Sequence, residues 1–315
     1  MSAMRIGVLM GGRSLERDIS LRSGRRVSRA LQELGHEVVE FDVDESLVPN
    51  LKRAGLDLAY IALHGKFGED GTVQELLEIL GIPYTGPGVF SSALGFNKAL
   101  SKEVFIRNGI PTPPFFVLSE ATFEEMGALA ALATAGQRLG YPLVVKPVAQ
   151  GSALGVRMVD NEEALPEAVR SALHYDDRVL LEKFVPGTEV AVSILGNREL
   201  EALPVVEVVP HSGFFDFESR YTLGATDYYC PARLPEETAE RVVEVAIKAH
   251  RSLECQNLSR VDIIVDREGV PMVLELNISP GMTESSLLPL AAEAAGLSFK
   301  RLVERLVDLA LEKYA

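Results

Sequence analysis

The 315-residue chain contains no tryptophan and only two cysteines, Cys230 and Cys255. A disulfide scaffold is therefore excluded, and a cytoplasmic location is expected. Basic residues are in deficit, with 31 Lys and Arg against 45 Asp and Glu and a formal charge of −14. That balance argues against a general nucleic-acid binder. It leaves room for a small anion wherever a few Lys and Arg converge. No apolar run approaches the roughly 20 residues of a membrane-spanning helix, so no membrane segment is expected. The opening run Met1–Val8 enters a strand-like pattern at once and lacks a secretory signature. Two familiar nucleotide signatures are missing as well, G-x-x-x-x-G-K-[ST] and G-x-G-x-x-G after a strand, which argues against a P-loop kinase or a dinucleotide oxidoreductase.

What is present reads as an α/β chain of two or three domains. In the first third, apolar runs at Ile6–Met10, Glu37–Val43 and Leu58–Leu63 alternate with helical periodicity at Ile19–Leu34 and Thr72–Leu80. The spacing predicts β-α-β-β-α on a mostly parallel sheet. Ser91–Asn108 reads as one further helix, stopped before Pro111. The middle third turns strand-rich. Tyr141–Val145 and Val156–Val159 flank a loop, a helix follows near Glu162–Leu173, and Arg178–Phe184 is again extended. Antiparallel strands are expected over Glu189–Pro210, around the Gly196-Asn197 turn. The chain closes on an amphipathic helix with Phe299, Leu302, Val303, Leu306, Val307 and Ala310 at helical spacing.

The most informative segment is Arg260–Asn277, where two β-runs flank an Asp-Arg-Glu-Gly turn. Strand alternation places Glu275 and Asn277 on one face, and a four-residue loop over Arg267–Val270 would set Asp262 opposite Glu275. Like charges on paired strands repel unless something neutralises them, and three oxygen-bearing side chains suit a hard divalent cation such as Mg²⁺. The alternative is a solvated hairpin with chance acids.

Other motifs are weaker alone. Gln150–Gly155 after Lys146 offers small residues, among them Gly151 and Ser152, whose backbone N–H groups could approach phosphates beside a lysine; it could equally be an ordinary glycine-containing hairpin. Lys98, isolated, reads more simply as a surface lysine. Leu180–Gly187 could wall an aromatic base or simply end a buried strand. Glu16 follows the first strand, where open α/β sheets bind ligands, and could hold an ammonium or merely favour a helix start. His64 ends another strand and could be a satisfied loop histidine. Ser279–Leu287 leads into a helix whose N-terminus, carrying Ser285 and Ser286, could receive a carboxylate or simply be capped.

Gly11-Gly12-x-Ser14-x-Glu16-Arg17, Leu63-His64-Gly65 with Gly68-Glu69-Asp70-Gly71, Lys146-Pro147 before the serine-glycine loop, and Glu275-Leu276-Asn277 with Pro280-Gly281-Met282-Thr283 together resemble the D-alanine–D-alanine ligases of the ATP-grasp superfamily. The match runs in order through nearly the whole chain. It implies a three-domain ATP-grasp fold: an N-terminal α/β substrate domain over 1–97, a central subdomain over 98–184, and a C-terminal domain with lid and metal site over 185–315. It implies ATP and two Mg²⁺ (or Mn²⁺) as cofactors, D-alanine as substrate, peptidoglycan precursor synthesis as the setting, no nucleic acid or membrane partner, and a homodimer.

By that resemblance Lys98 and Lys146, with the Gly151 and Ser152 loop, would bind ATP phosphates. Glu182 and the backbone of Lys183, Phe184 and Val185 would hold the adenine, and Glu189 the ribose. Asp262, Glu275 and Asn277 would carry the metal ions. Glu16 would hold the first D-alanine's ammonium in a network with Ser152 and Tyr221, with His64 nearby. Ser286 and the Leu287 backbone would bind the second carboxylate, and Arg260 with the Gly281 N–H would stabilise the oxyanion. The aromatic stretch Phe214–Tyr221, low in regular pattern, is the candidate lid. Arg220 stands where a lysine is common in the family, so a contact with phosphate there would have a different geometry. Tyr221 favours a dipeptide over a D-lactate ester. The alternatives are a D-alanine–D-lactate or D-alanine–D-serine ligase, another ATP-grasp carboxylate–amine ligase, or a nucleotide-binding scaffold without catalysis. Such a scaffold would be expected to lack one of the metal carboxylates or Arg260.

Overall fold

The computed structural model describes residues 3–222 and 224–315, except for the side chains of Leu129 and Tyr221. The first third holds β1 (Arg5–Met10), α1 (Arg17–Glu33), β2 (Glu37–Asp42), α2 (Leu47–Ala54), β3 (Leu58–Ile61) and α3 (Thr72–Leu80), followed by α4 (Val89–Phe96) and α5 (Lys98–Arg107). Its three strands run parallel in the order β2-β1-β3. Two expectations need correction. The stretch between β2 and β3 contains α2, a helix of only eight residues whose apolar period is too short to stand out. Ser91–Asn108 is not one helix, because Asn97 is extended and its side chain accepts from the Leu100 N–H, capping a new start.

The middle of the chain forms β4 (Phe115–Ser119), α6 (Glu120–Glu124), α7 (Leu129–Leu139), β5 (Leu143–Pro147), β6 (Arg157–Val159), α8 (Leu165–Leu173) and β7 (Arg178–Lys183). These strands make an antiparallel sheet ordered β4-β7-β5-β6. Leu143, Val145, Val179 and Leu181 face the core under α7 and α8. Strand alternation turns Lys146 and Glu182 to the opposite face.

The third sheet takes β8 (Gly187–Gly196), β9 (Leu200–Ala202), β10 (Val206–Pro210), β11 (Thr226–Tyr229), β12 (Asn257–Asp266) and β13 (Pro271–Asn277), in the order β11-β10-β8-β12-β13 with β9 beside β8. α9 (Phe217–Tyr221) precedes β11, α10 (Glu236–Ser252) packs on the sheet, and α11 (Leu287–Ala294) and α12 (Phe299–Tyr314) close the chain. On β12, Val261, Ile263 and Val265 join the core under α10. Arg260, Asp262 and Ile264 therefore face the other way.

The parallel sheet is covered on both faces, as parallel sheets generally are. Ile6 and Val8 meet α1 and the far end of the chain, Leu302, Val303, Leu306 and Val307 of α12, in a core that continues into Ala191 and Leu195 of β8. The first and third sheets are thus joined by one apolar mass. α1 approaches β1 closely because Gly24 has no Cβ; one added there would lie 2.6 Å from that of Met10. This offsets the roughly 1 kcal/mol that glycine costs a helix interior. Among the described residues, no helix is long and apolar enough to cross a membrane.

Candidate active site

Two adjoining cavities lie where the three sheets meet. The larger, of about 390 Å³, opens between the two antiparallel sheets and is of the size that holds small-molecule ligands. Lys146, Glu182, Lys183, Phe184 and Val185 line one side, and Glu189, Asp262, Ile264, Leu274 and Glu275 the other. The smaller, of about 90 Å³, is bounded by Glu16, His64, Glu69, Gly151, Ser152, Arg260, Asn277, Gly281, Ser286 and Leu287. Phe215 and Arg220 border both.

The hairpin β12–β13 forms the wall between them. Asp262 does stand opposite Glu275, but through a β-bulge rather than the turn register expected from sequence. Nearer the turn, Ile263 pairs with Val273, and the register shifts before Asp262. Asp262 accepts two hydrogen bonds from Arg260, at 2.7 and 2.8 Å, and a third from Asn277 at 3.0 Å.

Lysines meet the carboxylates of the larger cavity. Lys98 is buried, not a surface residue, with its Nζ 2.6 Å from the Gln150 carbonyl and 3.2 Å from Glu275. Burial pushes the Glu275 pKa up, but Lys98, Arg220, Lys146 and Arg260 outweigh it and hold the carboxyl well below its usual range. Glu182 lies buried between Lys146 and Lys102, the latter 2.6 Å away, and is lowered for the same reason. Glu189 has weaker compensation, and burial pushes it up to about 7. The Arg220 guanidinium stacks 4.4 Å from the centre of the Phe215 ring and lies 4.0 Å from Glu275. The stretch around it is not irregular throughout, since Asp216 caps the short helix α9. The Tyr221 side chain lies outside the described residues.

The smaller cavity is built differently. Glu16 is buried at the start of α1; one oxygen accepts from the Ser152 hydroxyl, and the other has no hydrogen-bond partner among the described residues. Burial, reinforced by Glu69, raises its pKa to about 6. Gly151 permits the contact, since a Cβ there would lie 2.5 Å from Glu16 Oε2. Ser152 and Ala153 both adopt left-handed backbone conformations, φ 53° and 55°, a local strain of the kind concentrated at functional sites. The loop is divided: Gly151 and Ser152 turn toward Glu16, while Ala153 and Val156 line the larger cavity.

His64 Nδ1 lies 3.2 Å from the Ser279 carbonyl, so that nitrogen carries the proton, and Nε2 meets Ser23 Oγ at 3.1 Å. Burial opposes its protonation, yet Glu69 and Glu16 raise its pKa. Ser286 occupies the N-cap position of α11, but its side chain caps no amide of that helix and instead accepts from the Thr283 N–H at 3.0 Å. Sequence reasoning left three neighbours without a role: Lys102, Glu69 and Ser23. Lys102 could have been found four residues after Lys98, on the same helix face.

Family models for the D-ala D-ala ligase N-terminus and C-terminus match residues 45–87 and 104–308. The D-alanine–D-alanine ligase of Desulforamulus reducens is 49% identical over 312 residues, covering 99% of this chain and 100% of that protein. The chain belongs to the D-alanine–D-alanine ligase family.

Solved members superpose over nearly the full length. A D-alanine–D-alanine ligase from Bacillus anthracis complexed with ATP gives a TM-score of 0.83 at 34% identity, covering 99% of this chain and 98% of that one. The VanG D-Ala:D-Ser ligase from Enterococcus faecalis gives 0.83 at 29% identity, covering 98% and 100%. The architecture is therefore the ATP-grasp α/β fold of this ligase family.

Proposed function

We propose that this ligase joins two D-alanines into D-alanyl-D-alanine, using ATP and passing through D-alanyl phosphate, as a step of peptidoglycan precursor synthesis. The observation that carries the reading is the junction at Arg220 and Phe215 of a lysine-rich cleft with a cavity holding a buried carboxylate, one of whose oxygens has no hydrogen-bond partner among the described residues. The first suits a polyphosphate and the second an amino acid.

Lys98, Lys146 and Arg220 would receive the phosphates in the cleft, and Glu182, Lys183, Phe184, Val185 and Glu189 the nucleoside. Glu16 would hold the first D-alanine's ammonium, leaving its carboxylate to attack the γ-phosphorus while ADP leaves. Ser286 and the Leu287 backbone would orient the second D-alanine, whose amine attacks the acyl carbonyl and expels phosphate. Arg260 and the Gly281 N–H are suited to the oxyanion that forms. The buried walls and the aromatic stretch around Phe215 would keep water from the acyl phosphate.

Asp262, Glu275 and the Asn277 amide present hard oxygen donors, and Glu275 is held ionised, so the residues fit two Mg²⁺ or Mn²⁺ ions. Such ions, when bound, spread the negative charge of the phosphoryl oxygens. We also take the division at 97/98 and 184/185 as three domains, and the molecule as a cytoplasmic homodimer; two free cysteines support the reducing compartment.

The test supplies purified protein with Mg²⁺-ATP and D-alanine, D-lactate, D-serine or L-alanine, and follows ADP release and product mass. D-Alanyl-D-alanine should dominate. No consumption of D-alanine would remove the proposal.

A further inference from the structure

Lys102 has no part in the reading above, yet it is fully buried in the middle of the fold. It does not line the larger cavity, whereas Lys146 and Glu182 do. Its Nζ lies 2.6 Å from Glu182 Oε2, while the other oxygen of the same carboxylate meets Lys146. The same ammonium donates to Thr112 Oγ1, which donates onward to the Val273 carbonyl at 2.7 Å. The Val273 N–H returns to the Pro111 carbonyl at 2.8 Å, and the Lys183 N–H bonds the Pro114 carbonyl at 2.9 Å. The segment 111–114 is thus strapped to β13 of one sheet and to the end of β7 of the other, with Lys102 at its centre.

A buried ion is tolerated when it is matched. One carboxylate facing one lysine would leave that pair neutral. Two lysines on one carboxylate leave a positive charge, and because Lys102 is sealed away, the surplus resides on Lys146, whose side chain is 13% exposed toward the cleft.

We infer that Lys102 is a positioning residue for nucleotide binding: it neutralises Glu182 from behind, so that Lys146 keeps its charge for a polyphosphate, and it anchors the two sheets that form the cleft. This rests on the nucleotide reading of that cleft. Without Lys102, Lys146 is spent on Glu182.

The experiment measures Mg²⁺-ADP binding by calorimetry for the intact chain and for Lys102→Met, Glu182→Gln and the double variant, with the KM for D-alanine beside it. Wild-type binding of Mg²⁺-ADP tests the underlying reading by itself. Lys102→Met should weaken ADP binding about tenfold or more, the scale of a charge-assisted contact, with the D-alanine KM unchanged. In the Glu182→Gln background, where no carboxylate competes for Lys146, the same change should cost less than about threefold. If Lys102→Met does not fold, the comparison of Glu182→Gln with the double variant still decides. A tenfold further loss there, or wild-type ADP affinity in Lys102→Met, would overturn the inference.

Discussion

The two cavities share Arg220 and Phe215 but treat charge in opposite ways. In the larger, Lys98 and Lys146, with Lys102 sealed behind Glu182, are set against Glu275 and Glu182, and both carboxyls are held below their ordinary pKa. In the smaller, Glu16 is buried beside Glu69 and pushed up to about 6, with one oxygen unpartnered among the described residues. The difference shows what each awaits. A cleft whose Glu182 and Glu275 are already held ionised by basic neighbours is ready for a polyanion and its cations. A carboxylate raised by burial is stabilised when an ammonium arrives.

The largest predicted effect breaks the charge balance of the larger cavity. Glu275→Ala should reduce kcat at least about a thousandfold, because a metal carboxylate supports several kcal/mol of transition-state stabilisation. The fold should survive, since the Glu275 side chain is 21% exposed and Lys98 retains the Gln150 carbonyl. ADP release and circular dichroism check the two halves, and near-normal turnover would contradict the metal assignment.

Next comes the smaller cavity. Glu16→Gln should raise the KM for the more tightly bound D-alanine by about a hundredfold, the scale of losing a buried charge partner, with the KM for ATP little changed. In the unaltered enzyme, kcat/KM for D-alanine should fall as pH drops through about 6, because only the ionised Glu16 matches an ammonium. A profile flat to pH 5 would oppose that role.

The same carboxylate yields a stability prediction. Its folded pKa of about 6 exceeds the ordinary 4.5, so protonation favours the folded state. That contribution is fully present below pH 4.5 and lost as pH rises through about 6. Glu16→Gln should therefore be more stable than the parent at pH 8, by about 1–2 kcal/mol, and no different at pH 4. Urea unfolding at both pH values reads the difference. A variant that binds substrate worse yet folds better would show that the smaller cavity stores strain for its ligand.

The smallest effect is expected at the boundary. Arg220→Lys keeps the charge but loses the guanidinium contact with the Phe215 ring, and should raise the KM for ATP only a few-fold.

Much of this was legible in the sequence where alternation governs. The parallel strands, the shared face of Glu275 and Asn277 and the face of α12 follow from periods of 2 and 3.6 residues. What escaped depends on contacts between distant segments. The bulge that sets Asp262 against Glu275 has no local signal. Lys98 reads as a surface lysine, and Lys102 draws no notice, until α5 is seen to pack beneath the cleft, and Asn97 breaks a helical pattern by capping rather than by glycine or proline. That Glu16 and Ser152 touch, 136 residues apart, came from family likeness and not from spacing.

The central claim is most directly tested by following an oxygen atom. Purified enzyme would be given Mg²⁺-ATP and D-alanine labelled with ¹⁸O in its carboxylate, and the products analysed by mass spectrometry. Because the carboxylate attacks phosphorus and the amine then expels phosphate, the expected result is D-alanyl-D-alanine with one label transferred to each phosphate released. Dipeptide with unlabelled phosphate, or ADP formed without dipeptide, would contradict it.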